Sequence, residues 1–211
     1  MSILTRGNIG NCAVLTLNRP QSLNAITTEL LDMLDRQLDA IAEDDSRAFI
    51  LTGAGRAFCP GSDLKEPPSD VQARIEQVHA LILRMVEFPK LSVAAINGLA
   101  MGGGLELAMA CNFRVATMGA KLGLPEIKIG LMPAYGGTVL LPRLIGEARA
   151  EDMMLSGEPV DAEMALHLGL VNQLCDPTED VVQMAHDFVQ TYCTKSLLPQ
   201  QAIRQAIRGG A

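Results

Sequence analysis

Residues 94–111 read AAINGLAMGGGLELAMAC, and most of what the chain can be expected to do follows from them. The apolar run at 91–96 has the character of a buried strand and breaks at Asn97-Gly98. Gly102, Gly103 and Gly104 then precede a helix-like segment with a single carboxylate, Glu106. A glycine run lets backbone approach a ligand closely or take positive φ. A helix beginning there aims unpaired N–H groups and the positive end of its dipole at whatever is bound. The segment is therefore a seat for developing negative charge, with an acid one turn away. A tight strand-to-helix turn with a solvated glutamate would read the same way.

Outward from that stretch, composition narrows the alternatives. The chain has 211 residues, enough for one domain with a sizeable core or a domain plus an appendage. Aromatics are 3% against 48% hydrophobic residues, so the core must be aliphatic. A net charge of -7 argues against a nucleic-acid surface, which needs clustered Lys and Arg. Five dispersed cysteines without a C-x-x-C pair suggest reduced thiols and a cytoplasmic setting. The three histidines lack metal-ligand spacing, so no metal site is expected. The opening residues lack the pattern of a secretory signal. The run at 91–111 approaches membrane-spanning length, but its glycines, Asn97 and Glu106 make a poor transmembrane helix, so no membrane partner is expected.

In chain order, 3–6 and 12–17 predict a hairpin across the turn residues 7–11. Thr27 is placed to cap a helix whose apolar spacing runs through Leu30, Leu31, Leu34, Leu38 and Ile41, with an acidic wet face opposite. A buried parallel strand is expected at 48–52, a loop at 66–70 and a helix at 71–88 closed by Pro89. Strands are expected at 113–116 and 120–124, and Thr138 as the cap of a helix reaching 144. Further helices are expected at 148–155, 162–168, 178–193 and 198–208. Dinucleotide, P-loop and G-x-S-x-G fingerprints are missing. Alternating strands and helices followed by helices alone predict α/β layers with a helical end.

Four segments in order resemble the enoyl-CoA hydratase/isomerase (crotonase) superfamily: LNRPQSLNAI (17–26), TGAGRAFCPGSDL (52–64), AAINGLAMGGGLELAMACNFRVA (94–116) and LGLPEIKIGLMPAYGGTVLLPRLIG (122–146). A weaker match continues over 153–174. The resemblance implies an α/β spiral of ββα turns over residues 1–174, with a C-terminal helical segment at 175–211 shorter than is usual for the family. It implies an enoyl-CoA hydratase acting through a thioester enolate, with no metal or redox cofactor and coenzyme A entering as part of the substrate. It further implies a homotrimer or homohexamer.

By motif position, the backbone N–H groups of Ser62 and Gly103 would form the oxyanion hole, each worth about 3 kcal/mol. Glu106 would act as base on the water attacking Cβ. Glu126 would hold the same water and handle the proton arriving at Cα. Two close carboxylates titrate as a pair with one pKa raised. Asn24, Ala25 and Ile26, the backbone of Cys59, Gly61, Asp63 and Leu64, and Gly102 would line the substrate. Lys65 and Arg19 would meet phosphates, with a solvated surface role the equal alternative. Three departures stand out. Ala134 and Tyr135 replace small residues beside the carboxylates, so that the phenol narrows the acyl pocket, bonds a polar acyl group or packs outward. Pro60 stands next to the first donor's turn and stiffens it. The chain stops at Ala211, where relatives carry a further segment that covers the site and cements the trimer. An isomerase relying on Glu126, or a non-catalytic acyl-CoA-binding scaffold, are the other readings.

Overall fold

The computed structural model describes residues 2–66 and 70–209. Residues 67–69, in the loop expected at 66–70, lie outside the described residues. The chain opens with an antiparallel hairpin, β1 (Leu4–Ile9) and β2 (Cys12–Leu17), as its turn chemistry predicts. Then α1 (Thr28–Glu43) begins where Thr27 accepts a hydrogen bond from the Leu30 N–H. Its acidic face is more than a wet surface. Asp35 and Asp39 pair with Arg84, and Asp44 pairs with Arg6 and Lys90.

Three successive turns of the chain then repeat one plan. A long strand enters one sheet, a short strand enters a second, and a helix or helical loop returns. The first turn is β3 (Ala48–Gly53), β4 (Ala57–Cys59) and α2 (Val71–Glu87). The second is β5 (Leu91–Ile96), β6 (Leu99–Met101) and α3 (Gly103–Ala110). The third is β7 (Phe113–Thr117), β8 (Lys121–Gly123) and α4 (Gly137–Ile145). There follow α5 (Glu147–Ser156), β9 (Val160–Asp161), α6 (Ala162–His167), β10 (Gln173–Cys175), α7 (Val181–Cys193) and α8 (Leu197–Gly209). One sheet has the order β1-β2-β3-β5-β7-β10 and the other β4-β6-β8-β9. The spiral pairs are parallel. This is the α/β spiral of ββα turns with C-terminal helices.

The central strands are buried on both faces. In β3, Phe49 and Leu51 face the inter-sheet core, while Ala48 and Ile50 face α7. In β5, Ala94 and Ile96 take the first side, Val93 and Ala95 the second. The period of two thus persists where hydropathy alone shows only a continuous apolar run. The division expected at 174/175 runs through β10, and Val181, Ala185 and Val189 of α7 share a core with β3, β5 and β7.

One predicted cap moves, and one helix starts later than expected. Thr138 does not cap α4: the helix begins at Gly137, with Gly136 at φ 115 as its N-cap. The Gly137 N–H is met instead by the Glu106 carboxylate. For α7 the cap is Asp180, whose side chain accepts from the Val182 N–H, and Thr178 lies in the preceding turn. Among the described residues, no helix is long and apolar enough to cross a membrane.

Candidate active site

The site is built where the second-sheet strands hand over to helices. At the end of β6, Gly102 adopts φ 50 and ψ -130, turning the chain into α3. A Cβ there would lie 3.0 Å from Oε1 of Glu126, so glycine both permits the turn and clears the carboxylate. Gly104 serves the neighbouring contact: its Cβ would stand 2.2 Å from the Cys59 carbonyl oxygen. The first turn of α3 is therefore pressed against the end of β4, which places Gly103 beside the Gly61–Ser62 turn. A Cβ on Gly61 would be 3.3 Å from the Gly103 nitrogen. Among the described residues, neither the Ser62 nor the Gly103 N–H has a hydrogen-bond acceptor. A free donor at a helix N-terminus beside a second free donor from the adjoining turn forms an anion seat.

The strand-like bridge between Ile26 and Ser62 fixes the first donor. The Ile26 N–H donates to the Gly61 carbonyl at 2.8 Å and the Asp63 N–H donates to the Ile26 carbonyl at 2.9 Å. Arg19 bonds the Ala25 carbonyl and Asp63, and this pairing holds the Asp63 carboxyl below the usual range. Arg19 is thereby committed within the loop, contrary to its expected availability for phosphate.

Asn24 differs from expectation in the same way. It is fully buried at φ 67, and its amide donates to the Ala54 and Ala57 carbonyls while its oxygen accepts from the Arg19 N–H. Its side chain braces the loop and is not turned to a ligand. Ala25 is buried too, and Ile26 presents Cδ1 toward Gly103. Cys59 is buried, and burial pushes its thiol up to about 12, which removes it as a nucleophile at neutral pH. Leu64 and Lys65 are exposed at the rim.

The same helix turn brings in the two glutamates: Glu106 lies in the first turn of α3, and Glu126 lies against Gly102. Glu106 on α3 is 1% exposed. Its Oε1 accepts from the N–H of Gly137 at 2.7 Å and of Tyr135 at 2.9 Å, while its Oε2 is buried without a partner among the described residues. Glu126 starts the helical turn Glu126–Ile129, and its Oε2 is likewise buried and, among the described residues, unpartnered. Burial lifts the Glu106 carboxyl to about 7; the Gly137 N–H opposes this, the charge of Glu126 reinforces it, and the Tyr135 N–H opposes it again. Burial also raises the Glu126 carboxyl. A pair with raised pKa values holds a proton near neutrality, the condition for acid–base work there.

Tyr135 turns inward. Its hydroxyl lies 2.8 Å from Ser62 Oγ, and its ring lies 2.9 Å from where a Gly103 Cβ would stand. The outward-packing alternative is thus excluded. Sequence reasoning missed the backbone N–H groups of Tyr135 and Gly137 as the holders of Glu106. The glycine pair at 136–137 was the available signal, because it frees the loop to wrap a side chain. It also missed Arg114, whose buried guanidinium bonds the Cys111 and Leu170 carbonyls behind α3. A separate cavity of about 560 Å³ lies under α8, among Met109, Leu140, Ile203, Arg143 and Arg204; no predicted site residue borders it.

The family model described as enoyl-CoA hydratase/isomerase matches residues 8–210. A probable enoyl-CoA hydratase of Bacillus subtilis (strain 168) is 41% identical over 190 residues, covering 87% of this chain and 73% of the relative. The (E)-benzylidenesuccinyl-CoA hydratase of Thauera aromatica is 38% identical over 199 residues, covering 92% and 77%. The crystal structure of an enoyl-CoA hydratase from Bacillus anthracis superposes with a TM-score of 0.93 at 32% identity, covering 99% of this chain and 83% of that one. With the spiral fold, these matches show that the chain belongs to the enoyl-CoA hydratase/isomerase family.

Proposed function

We propose that this protein adds water to a trans-2-enoyl-CoA thioester, with Glu106 and Glu126 as the acid–base pair. The observation that carries the reading is one turn of chain, Gly102–Glu106, that brings together groups left without partners among the described residues: Gly102 lies against Glu126, Gly103 lies beside the Gly61–Ser62 turn, and the free oxygens of Glu106 and Glu126 are buried. The thioester oxygen accepts from the Ser62 and Gly103 N–H groups. Glu106, as carboxylate, takes a proton from water as the water oxygen bonds to Cβ. The π electrons move to give the enolate, whose oxyanion the two donors hold. Glu126, as the acid, delivers a proton to Cα, and proton exchange resets the pair. Charge stabilisation comes from backbone donors, so the proposed chemistry calls for no metal or redox cofactor. Coenzyme A enters as part of the substrate, with Leu64 and Lys65 at the rim toward it. A homotrimer or homohexamer is the proposed assembly.

Isomerisation is the competing chemistry, because an enolate hole with one acid suffices to move a double bond. Incubating crotonyl-CoA with the protein in heavy-oxygen water tests the choice. Hydration puts the label at C3 of a hydroxyacyl product. Deuterium exchange from heavy water with no oxygen incorporation would overturn hydration in favour of enolate chemistry alone.

A further inference from the structure

We propose that Tyr135 is the specificity-determining wall of the acyl compartment, closing it just beyond the reacting carbons so that the site takes a short enoyl group in preference to a long one. The proposal rests on the hydratase reading above. One residue touches all three parts of that site. Its N–H holds the Glu106 carboxylate, its ring lies on Gly103, and its hydroxyl bonds Ser62 Oγ.

The geometry follows from where the substrate must sit. The two N–H donors fix the thioester oxygen, and the free oxygens of Glu106 and Glu126 fix Cβ and Cα. The side chain of Tyr135 spans from the loop that holds Glu106 to the turn that carries the first donor. The proposal places the carbons after Cβ against that ring, which borders both the first donor's turn and Gly103. Ile26 Cδ1, 3.2 Å from the same Gly103 Cβ position, borders that ring side as well. The ring is braced, not free to swing: Ala134, next in the chain, has its carbonyl bonded by His79 of α2 at 2.5 Å, and the phenol is tied to Ser62. Admitting a longer chain means breaking the phenol–serine bond and moving the ring off Gly103.

The test uses the full chain as wild type, Tyr135→Ala and Tyr135→Phe. Calorimetry gives Kd for butyryl-CoA and decanoyl-CoA, which cannot be hydrated. Kinetics give kcat/KM for crotonyl-CoA and trans-2-decenoyl-CoA. A packed wall discriminates by at least about tenfold, so the wild type favours the short ligand by that factor, Tyr135→Ala erases it, and Tyr135→Phe retains it within about threefold. A merely structural role for Tyr135 would change both ligands alike and leave the ratio fixed. An unchanged ratio in Tyr135→Ala, or a wild type that favours the long chain, overturns the proposal. If Tyr135→Ala does not fold, as judged by thermal unfolding, Tyr135→Leu serves, with a partial shift expected and no shift contrary. A wild type that binds both saturated esters but hydrates neither enoyl ester sinks the hydratase reading, while the Kd ratios still decide the wall. Failure to bind either ester sinks both.

Discussion

Glu106 is a carboxylate kept where the acid form is favoured, and this makes stability depend on pH. Its pKa rises from 4.5 to about 7 on folding. The folded state therefore binds a proton more tightly than the unfolded chain. Wild-type stability should fall as pH climbs from about 4.5 to about 7 and then level off. Glu106→Gln removes the titration while its amide oxygen can still accept from the Tyr135 and Gly137 N–H groups. Denaturant unfolding should show the variant gaining on wild type across that window, by on the order of 3 kcal/mol at pH 8. A gain independent of pH would mean that the carboxyl does not titrate there. The same coupling acts on rate. Without the Glu126 charge, the Glu106 pKa drops, so the acid limb of residual kcat/KM in Glu126→Gln should lie below that of wild type. A limb that stays put would separate the two groups. At this scale the sequence marks Glu106, Glu126, Ser62 and Gly103 because each sits in a local motif. It does not mark the direction of Tyr135, whose partner Ser62 is 73 residues away. Nor does it reveal that Asn24 and Arg19 are spent on Ala54, Ala57 and Asp63, since long-range pairing decides whether a polar side chain faces solvent or loop.

Helix α3 gains its function from how closely its first turn meets β4. Gly104→Ala places a methyl carbon 2.2 Å from the Cys59 carbonyl oxygen and 2.7 Å from its carbon, so the helix must move. Backbone cannot yield as a flexible side chain would. The substitution should cost about 2 kcal/mol or more in unfolding free energy and lower hydration by about a hundredfold, as a displaced oxyanion donor does. Gly119→Ala, where a Cβ meets nothing within 4 Å, is the control and should be near neutral in both assays. If the two variants behave alike, the close approach is not what sets the donor. The long amphipathic helix α1 was legible from its spacing and Thr27 from its capping chemistry, while α2 was bounded by Pro89. The three-residue strands β4 and β6 were not, because a strand of that length shows no period and exists through its pairing with the next turn of the spiral.

Across the whole molecule, the larger sheet is covered on both faces: one side packs against the second sheet, α1 and α2, the other against α7. A helix sharing strands with the main core should unfold with it. Val189→Ala on α7 should therefore shift a single unfolding transition, by about 2 kcal/mol, and not create a separate early phase. A distinct transition for α7 would restore a structural break near residue 175. The alternation of strand and helix made the layered class legible. The shared face of β3 and β5 was hidden because strands buried on both sides read as uniform apolar runs. The proposed hydration rests on the paired carboxylates working with the two backbone donors. Its most direct test is the hydration of crotonyl-CoA, followed by loss of the conjugated thioester absorbance, in wild type, Glu106→Gln and Glu126→Gln. Wild-type turnover is expected, with a fall of at least about a hundredfold in each variant. A wild type that binds crotonyl-CoA without hydrating it, or a variant that hydrates at the wild-type rate, would contradict it.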